Sequence, residues 1–455
     1  VTSSGGNRLF GSLFDRGAAG TGDLDWLQAM LDAEAGLARA LDRAGLAPAG
    51  AGAAVTAVAT ADRFDVAELG RQAALTGSPV PALVRALSAA VPATAREAVH
   101  RGATTQDITD TAAMLLAARA IDAIETDLAS AADHAAGLAA AHAGTIMAGR
   151  TLLQQAVPVT FGLVAAGWLA AIDDARRELA RVRMTGLAVQ FGGAAGTLAS
   201  LDEAGLAVAA LFAGELGLAE PLLPWHTDRQ RILRVAAALA GTCGVLGKIA
   251  RDVTLLAQTE IGEVSEHAGE PGRGGSSAMP HKRNPVASVV ILGCTRRVPG
   301  LLATLAAATE QELQRAAGGW HAEWETWSDL LRLTGSAAAW SAELLAGLSV
   351  DNARMRANLD AAGGLPLAEH VAAVLAPALG RLAAHDLVRE AAGRAGQRGI
   401  SLPAAMLEGS AAAAALARAG IGRPELDAAI DPASYLGTSA EFVRRALAAH
   451  DDAGQ

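Results

Sequence analysis

Apolar residues recur with a helical period along most of the chain, most regularly after Thr227. Ile232, Leu239, Leu246 and Val253 fall seven apart, and Ala236, Cys243, Ala250 and Ala257 fill the complementary heptad positions. Four unbroken heptads predict a bundle helix from Asp228 to Ser265, 38 residues or roughly 57 Å at about 1.5 Å each. An earlier stripe of Leu27, Met30, Leu31, Leu37, Ala38 and Leu41 predicts a helix from Asp23 to Ala44, stopped by Gly45. Pro79, Pro81 and Pro92 then interrupt the pattern. A further stripe of Leu115, Ile121, Ile124 and Leu128 predicts a long helix from Asp107, whose carboxylate is expected to cap the amides that follow. Thr151 to Ile172 is 22 residues without a charge, long enough to span a bilayer. Gln154, Gln155 and Pro158, with no basic flank, favour a buried core helix there instead.

The periodicity fails in EHAGEPGRGGSSAMPHKRNP, Glu266 to Pro285, a loop longer than ordinary bundle connections and therefore a functional candidate. Asn284 as cap and Pro285 as first helical residue predict a new helix running to about Gln314, interrupted by Pro299. Near Ser349 the pattern changes to shorter segments punctuated by Gly363, Gly364, Pro366, Pro377, Gly380 and Gly393. The 455 residues divide on this reading into an N-terminal helical domain (1–98), a central long-helix bundle (99–349) and a C-terminal helical domain (350–455).

Composition sharpens the class. Hydrophobic residues make up 51% and aromatics only 3%, a mixture that suits close-packed helices and excludes all-β architectures. A net charge of −10 argues against a nucleic-acid binder that works by neutralising phosphates, so an anionic ligand needs a local positive site. Cys243 and Cys294 lie in apolar stretches and read as small buried hydrophobes in a reducing compartment. With no cationic and apolar leader in VTSSGGNRLFGSLFDRG, a cytoplasmic protein with no membrane partner is expected. Trp320, Trp324 and Trp327 share one helix face and read as packing, while His321, Glu323 and Glu325 complete no metal set. No metal and no cofactor are expected.

Candidate chemistry concentrates in the Gly-rich loop. Only Lys248 and Lys282 are lysines among 37 basic residues, and Lys282 stands just before a helix start, where free amides and the helix dipole add to its charge. That setting suits a carboxylate or phosphate. Ser276 and Ser277 read equally well as loop polar residues or as reacting groups, since no GxSxG elbow surrounds them.

GSSAMPHKRNP, Gly275 to Pro285, resembles the signature of the fumarase/aspartase superfamily, whose members add groups to, or eliminate them from, a carbon β to a carboxylate. HRGATTQDITDT (His100–Thr111) is similar to that family's first active-site stretch, GRTLLQQAVP (Gly149–Pro158) to its second, and QFGGAAGT (Gln190–Thr197) to the glycine-rich turn beyond it. The resemblance implies an all-α fold of three helical domains, whose central long helices form a twenty-helix core in a homotetramer with active sites shared between subunits. It implies a small polycarboxylate substrate, with Ser276 and Lys282 catalytic and His100, Thr104, Thr105, Thr151, Gln154, Ser277, Met279 and Asn284 binding substrate.

LFDRGAAGTGDLDWLQAMLDAEAGLARAL, QQAVPVTFGLVAAGWL and GGWHAEWETWSDLLRL resemble the lactonising, cycloisomerase branch of the superfamily. Adenylosuccinate lyases usually carry histidine at the fourth residue of a GRTHxQ stretch, where this chain has Leu152. That histidine is implicated in proton transfer involving a departing nitrogen, which leucine cannot perform. A carboxylate nucleophile, ionised at neutral pH with a pKa of roughly 4, needs no such help. The alternative is a superfamily lyase that eliminates from a succinyl substrate to give fumarate, expelling a weak base such as nitrite or acting like an adenylosuccinate lyase.

Overall fold

The computed structural model describes residues 9–17, 20–266, 274–275 and 278–453. Along the chain the principal elements are α1 (Asp23–Arg43), α2 (Thr105–Ala141), β1 (Ile146–Thr151), β2 (Gln154–Thr160) and α3 (Phe161–Thr185). They continue with α4 (Gly205–Leu216), α5 (Gln230–Leu256), β3 (Val264–Glu266), α6 (Val286–Thr295), α7 (Val298–Ala307) and α8 (Gly319–Ala346). Then come β4 (Leu348–Val350), α9 (Asn352–Asp360) and short C-terminal helices, among them α10 (Ala368–Leu379), α11 (Arg381–Arg398) and α12 (Ser439–Ala453). The architecture is all-α, as expected, with two small two-stranded sheets.

The expected α5 seam is buried at Ile232, Ala236, Leu239, Cys243, Leu246, Ala250 and Val253. The helix ends earlier than the heptads predicted. After Leu256 the chain tightens through Gly262, at φ +61°, and Glu263 N–H closes back on the Leu256 carbonyl at 2.9 Å. The opposite face of α5 leaves Ala237, Gly241 and Gly244 exposed, and a Cβ at either glycine would meet nothing within 4 Å. Two helical segments, Gln230–Leu256 and Val286–Ala307, are long and apolar enough to cross a membrane, yet only 50% and 33% of their most apolar stretches are buried within the chain.

The Thr151–Ile172 segment corrects the sequence reading. It is not one core helix: its first ten residues are mostly the second strand of an antiparallel hairpin, in which Ile146 pairs with Thr160 and Thr151 with Gln154. A run without charges is equally compatible with a buried strand, and here helix begins only at Phe161. The helix expected from Pro285 to Gln314 begins at Val286 and breaks into α6 and α7, with Pro299 in the first turn of α7.

The chain divides into two compact units. One comprises the chain up to Ala131, Asp174–Ala250 and Ala287–Glu343. Its core includes the α1 stripe Leu27, Leu31, Leu37 and Leu41, and α4 approaches α1 so closely that a Cβ on Gly36 would lie 2.7 Å from Leu216. The expected tryptophan packing holds: Trp320 and Trp327 are buried and donate to the Asp110 carboxylate at 3.0 Å and the Ala113 carbonyl at 3.1 Å. Both cysteines are free and buried here, and burial pushes the Cys243 thiol up to about 12 and that of Cys294 up to about 11.

The second unit comprises Ala132–Asp173, Arg251–Val286 and the chain from Leu344. It holds the hairpin, the β3–β4 pair and a C-terminal core around Val371, Leu375, Val388, Leu402, Met406, Leu416 and Leu426. Trp168 anchors α3 through a 2.8 Å bond from Nε1 to Asp252, and α12 docks through His450, which lies 3.0 Å from Asp173 and 3.2 Å from Asp133.

Candidate functional site

In the first unit, His100–Thr111 forms the start of α2. Helix begins at Thr105, and Asp107 does not cap the amides that follow it, as the sequence suggested. Its carboxylate turns back on Thr104 N–H at 2.9 Å, the reciprocal half of a capping box. The same buried carboxylate accepts from Gly193 N–H at 2.8 Å, Gly192 N–H at 3.1 Å and His226 Nε2 at 2.7 Å. Asp107 therefore ties three things together: the Thr104–Thr105 turn, the glycine-rich turn and His226.

Gly193 sits at φ +70°, and a Cβ there would lie 3.0 Å from the Gly102 carbonyl, so glycine is what lets the turn approach. Thr104 and Thr105 are half-buried, and neither hydroxyl has a hydrogen-bond partner among the described residues. Arg315 donates to Gln106 Oε1 and to the Ala194 carbonyl, both at 3.1 Å, while its Nη2 has no partner among the described residues.

One turn further along α2 lies a second buried polar centre. Arg229, 1% exposed, makes paired bonds to Asp110 at 2.8 and 3.0 Å and grips Glu323 with Nε at 2.9 Å and with Nη2. Gln190 donates to Asp110 at 3.2 Å and accepts Trp225 N–H at 2.9 Å. One guanidinium thus serves two carboxylates. The pair keeps Arg229 charged by raising its pKa, whereas burial, only partly offset by Arg229, raises that of Glu323.

His100 is bound by a residue that the sequence did not flag, Glu34 of α1. Glu34 accepts the backbone N–H at 3.0 Å on one oxygen and lies 2.6 Å from Nδ1 with the other. Burial draws the His100 pKa down, but the Glu34 carboxylate, with a smaller contribution from Asp107, more than offsets it and leaves the net value raised.

In the second unit, Thr151 and Gln154 pair across the hairpin and are exposed, with Leu152 and Leu153 as its two-residue tip. Both leucines have positive φ, +51° and +64°, the geometry of a turn that favours Asn-Gly. They are also 96% and 69% exposed. The hairpin is fastened below its tip: Arg150 grips the fully buried Glu263 at 2.9 and 2.6 Å, and Asn358 donates to the same carboxylate at 2.8 Å. Gln154 and Gln155 line an open cleft of about 490 Å³ with Asn358, Ala361, Ala362, Leu365 and Pro366.

The signature loop is clasped at its base. Asn284 N–H bonds the Gly274 carbonyl at 2.7 Å and Gly275 bridges to Arg283. A Cβ on Gly274, at φ +70°, would lie 2.6 Å from the Asn284 carbonyl oxygen, so only glycine fits. Lys282 is exposed, its N–H turned to the Met279 carbonyl at 3.0 Å, and Met279 is 42% exposed. Ser276 and Ser277 lie outside the described residues.

The structure thus brings His100, Thr104 and Thr105 into one turn, pairs Thr151 with Gln154, and sets Met279, Lys282 and Asn284 around one loop base. Sequence reasoning missed Glu34, His226, Arg229 and Glu263, and gave no buried partner to Asp110, Gln190 or Glu323, which it had met only within motifs or set aside. A polar residue inside an apolar stripe, as Glu34 is between Leu31 and Leu37, was the available signal.

Comparison with known proteins places this geometry in context. Residues 82–300 match a family model described as "Lyase", and 364–446 match "Adenylosuccinate lyase C-terminus". The chain is 48% identical to the 3-carboxy-cis,cis-muconate cycloisomerase of Pseudomonas aeruginosa, covering 94% of this chain and 93% of that one. It is 45% identical to the nitrosuccinate lyase of Streptomyces davaonensis, covering 96% and 93%. The crystal structure of the 3-carboxy-cis,cis-muconate lactonizing enzyme from Pseudomonas putida superposes with a TM-score of 0.89 at 43% identity, covering 98% and 99%.

Proposed function

The chain belongs to the fumarase/aspartase superfamily, and from that membership we propose that it is a cycloisomerase that converts 3-carboxy-cis,cis-muconate to 4-carboxymuconolactone in aromatic-acid catabolism. The observation that carries the choice of reaction is the likeness over nearly the whole chain to 3-carboxy-cis,cis-muconate cycloisomerases, in sequence and in fold. Leu152, between Thr151 and Gln154, has no proton to exchange, which fits an attacking carboxylate that arrives already ionised.

In this reading one substrate carboxylate adds through oxygen to the alkene carbon β to another. The π pair moves onto that second carboxylate as an aci-carboxylate dianion, and the α-carbon then takes a proton from Ser276. The heavy atoms are conserved, and the trianionic substrate becomes a dianionic lactone by net uptake of the one proton that now sits on the α-carbon. Lys282, with Asn284 and neighbouring amides, stabilises the dianion and the serine alkoxide, which recovers its proton from solvent. Thr104, Thr105 and His100 hold one carboxylate at the start of α2, where free helix amides favour an anion. Thr151, Gln154, Ser277 and Met279 complete the pocket.

Sites shared between the subunits of a homotetramer bring these stretches together, and the exposed Ala237, Gly241 and Gly244 face of α5 supports close helix packing between copies. In this reading the apolar helices Gln230–Leu256 and Val286–Ala307 are bundle seams rather than membrane spans, which suits a cytoplasmic enzyme. We keep the division at 98/99 and 349/350 as a proposal; the C-terminal match over 364–446 supports the last part, while the compact units of the fold run across both boundaries.

The 45% identity to a nitrosuccinate lyase favours a second reading, elimination of nitrite to give fumarate, which Leu152 equally permits. Product analysis separates the two. With carboxymuconate as substrate, loss of the diene absorbance and a lactone product are expected. Fumarate and nitrite from nitrosuccinate, with carboxymuconate untouched, would replace the first reading by the second.

A further inference from the structure

Glu34 is 0% exposed in the middle of the α1 stripe, where a carboxylate belongs only if its partners offset the cost of burial. Both of its oxygens are spent on one residue, His100: one on the backbone N–H and one on Nδ1. His100 itself adopts φ +57°, a left-handed conformation that non-glycine residues hold only when their surroundings fix it. Two residues later Gly102 turns at φ +80°, and a Cβ there would lie 2.6 Å from Leu201. The chain from His100 to Thr104 is therefore held in one shape by α1 on one side and by Asp107 on the other.

With Nδ1 engaged, the ring offers Nε2, which has no partner among the described residues, and its side chain is 20% exposed. The charged groups that bear on the ring are Glu34 from α1 and Asp107 from α2, both negative, while the neighbouring Arg101 guanidinium is turned to the Leu46 carbonyl. That surround favours the imidazolium.

We propose that Glu34 is a positioning residue that holds His100 by Nδ1 with its charged Nε2–H presented to a substrate carboxylate beside the Thr104–Thr105 turn. This rests on the carboxylate-binding role given to that turn above. The opposed negative pole is buried on Glu34, so an anion approaching the ring meets its positive end. A charge-assisted bond of this kind is roughly twice as strong as a neutral one.

Glu34→Gln tests it with little change of shape. Its oxygen can keep the backbone N–H and its amide can donate to Nδ1, so Nε2–H persists on a neutral ring. Tricarballylate, a tricarboxylate that needs no turnover, serves as the probe in calorimetric titrations from pH 6 to 9. A raised His100 pKa means that wild-type affinity is full at low pH and falls as pH rises through that value. In Glu34→Gln the fall moves to lower pH, with about tenfold weaker binding near neutrality, whereas Glu34→Asp retains the charge and part of the affinity. His100→Gln removes the limb altogether and serves if Glu34→Gln fails to fold by circular dichroism. Unchanged affinity and an unshifted profile in folded Glu34→Gln, or in His100→Gln, would overturn the proposal. Inactivity on carboxymuconate with this pH-dependent binding intact would instead overturn the cycloisomerase reading.

Discussion

Replacing Asp107 probes how far the buried scaffold sets the geometry of the Thr104–Thr105 turn, to which the proposed function gives a substrate carboxylate. Its carboxylate takes four donors, two on each oxygen: Thr104 and Gly193 N–H on one, Gly192 N–H and His226 Nε2 on the other. In Asp107→Asn one oxygen becomes an NH2 group. If that group faced Thr104 and Gly193, two amides would be orphaned. If it faces His226, the ring can change tautomer and accept from it, leaving only Gly192 N–H without a partner. The second orientation wins. Its cost is one unmet buried donor, about 1–3 kcal/mol, together with the loss of charge assistance on the two bonds that remain. We therefore expect about 2–4 kcal/mol of destabilisation for Asp107→Asn, and more for Asp107→Ala, which orphans all four donors. Because Thr104 keeps its bond in the asparagine variant, its kcat/KM on carboxymuconate should fall less than that of the alanine variant. Urea midpoints at fixed protein concentration and steady-state kinetics check both statements. Equal stability of the two variants, or an asparagine variant within 0.5 kcal/mol of the parent, would refute the account of which oxygen matters.

Arg229→Met leaves Asp110 and Glu323 buried without their cation, and a loss of about 3–5 kcal/mol is expected in denaturant unfolding. Since burial already raises the Glu323 pKa, removing the guanidinium raises it further, and the folded variant takes up a proton as pH falls. Its deficit should therefore shrink on acidification toward pH 5, and a deficit that grows would contradict this. Lys282→Met should lower kcat on carboxymuconate by roughly a hundredfold, about 3 kcal/mol, because charge builds on the aci-carboxylate only as the lactone forms; a pure KM effect would make Lys282 a steering residue. Leu152→Asn with Leu153→Gly should relieve two left-handed leucines at about 1 kcal/mol each and raise the melting temperature while reducing kcat/KM at least tenfold; unchanged activity would remove the tip from the site.

The long helices were legible because their packing follows one period. Ile232, Leu239, Leu246 and Val253 are all buried where the heptad put them. The hairpin was not, since the chain from Thr151 on is uncharged and the tip is Leu-Leu rather than the Asn-Gly or Asp-Gly that announces a two-residue turn. Its register is held by Arg150 and Glu263, 113 residues apart, and no local pattern carries that. Glu34 and Arg229 escaped for a related reason: a periodicity argument treats a charge on an apolar face as a break in the stripe, although such a charge in a core means that a partner has been brought to it from elsewhere. The roles of Ser276 and Ser277 rest on the signature alone.

The stretch HRGATTQDITDT shows what a family motif is made of. Thr104 and Thr105 have hydroxyls with no partner among the described residues, but Gln106, Asp107, Asp110 and Thr111 all bond inward, to His226, the glycine turn, Arg229 and Gln190. Asp107, Asp110 and Thr111 are spaced three and four apart, which puts them on one inner helix face. Most of the motif's polar residues therefore build the scaffold that sets two threonines in place, and a chain can match it whatever bond it makes or breaks. The choice of reaction has to be written where a side chain reaches the reacting atoms without such support. In the proposed function the tip of the β1–β2 hairpin is such a place: Leu152 is strained and exposed, and a side chain with no proton to exchange there suits nucleophiles or leaving groups that need none.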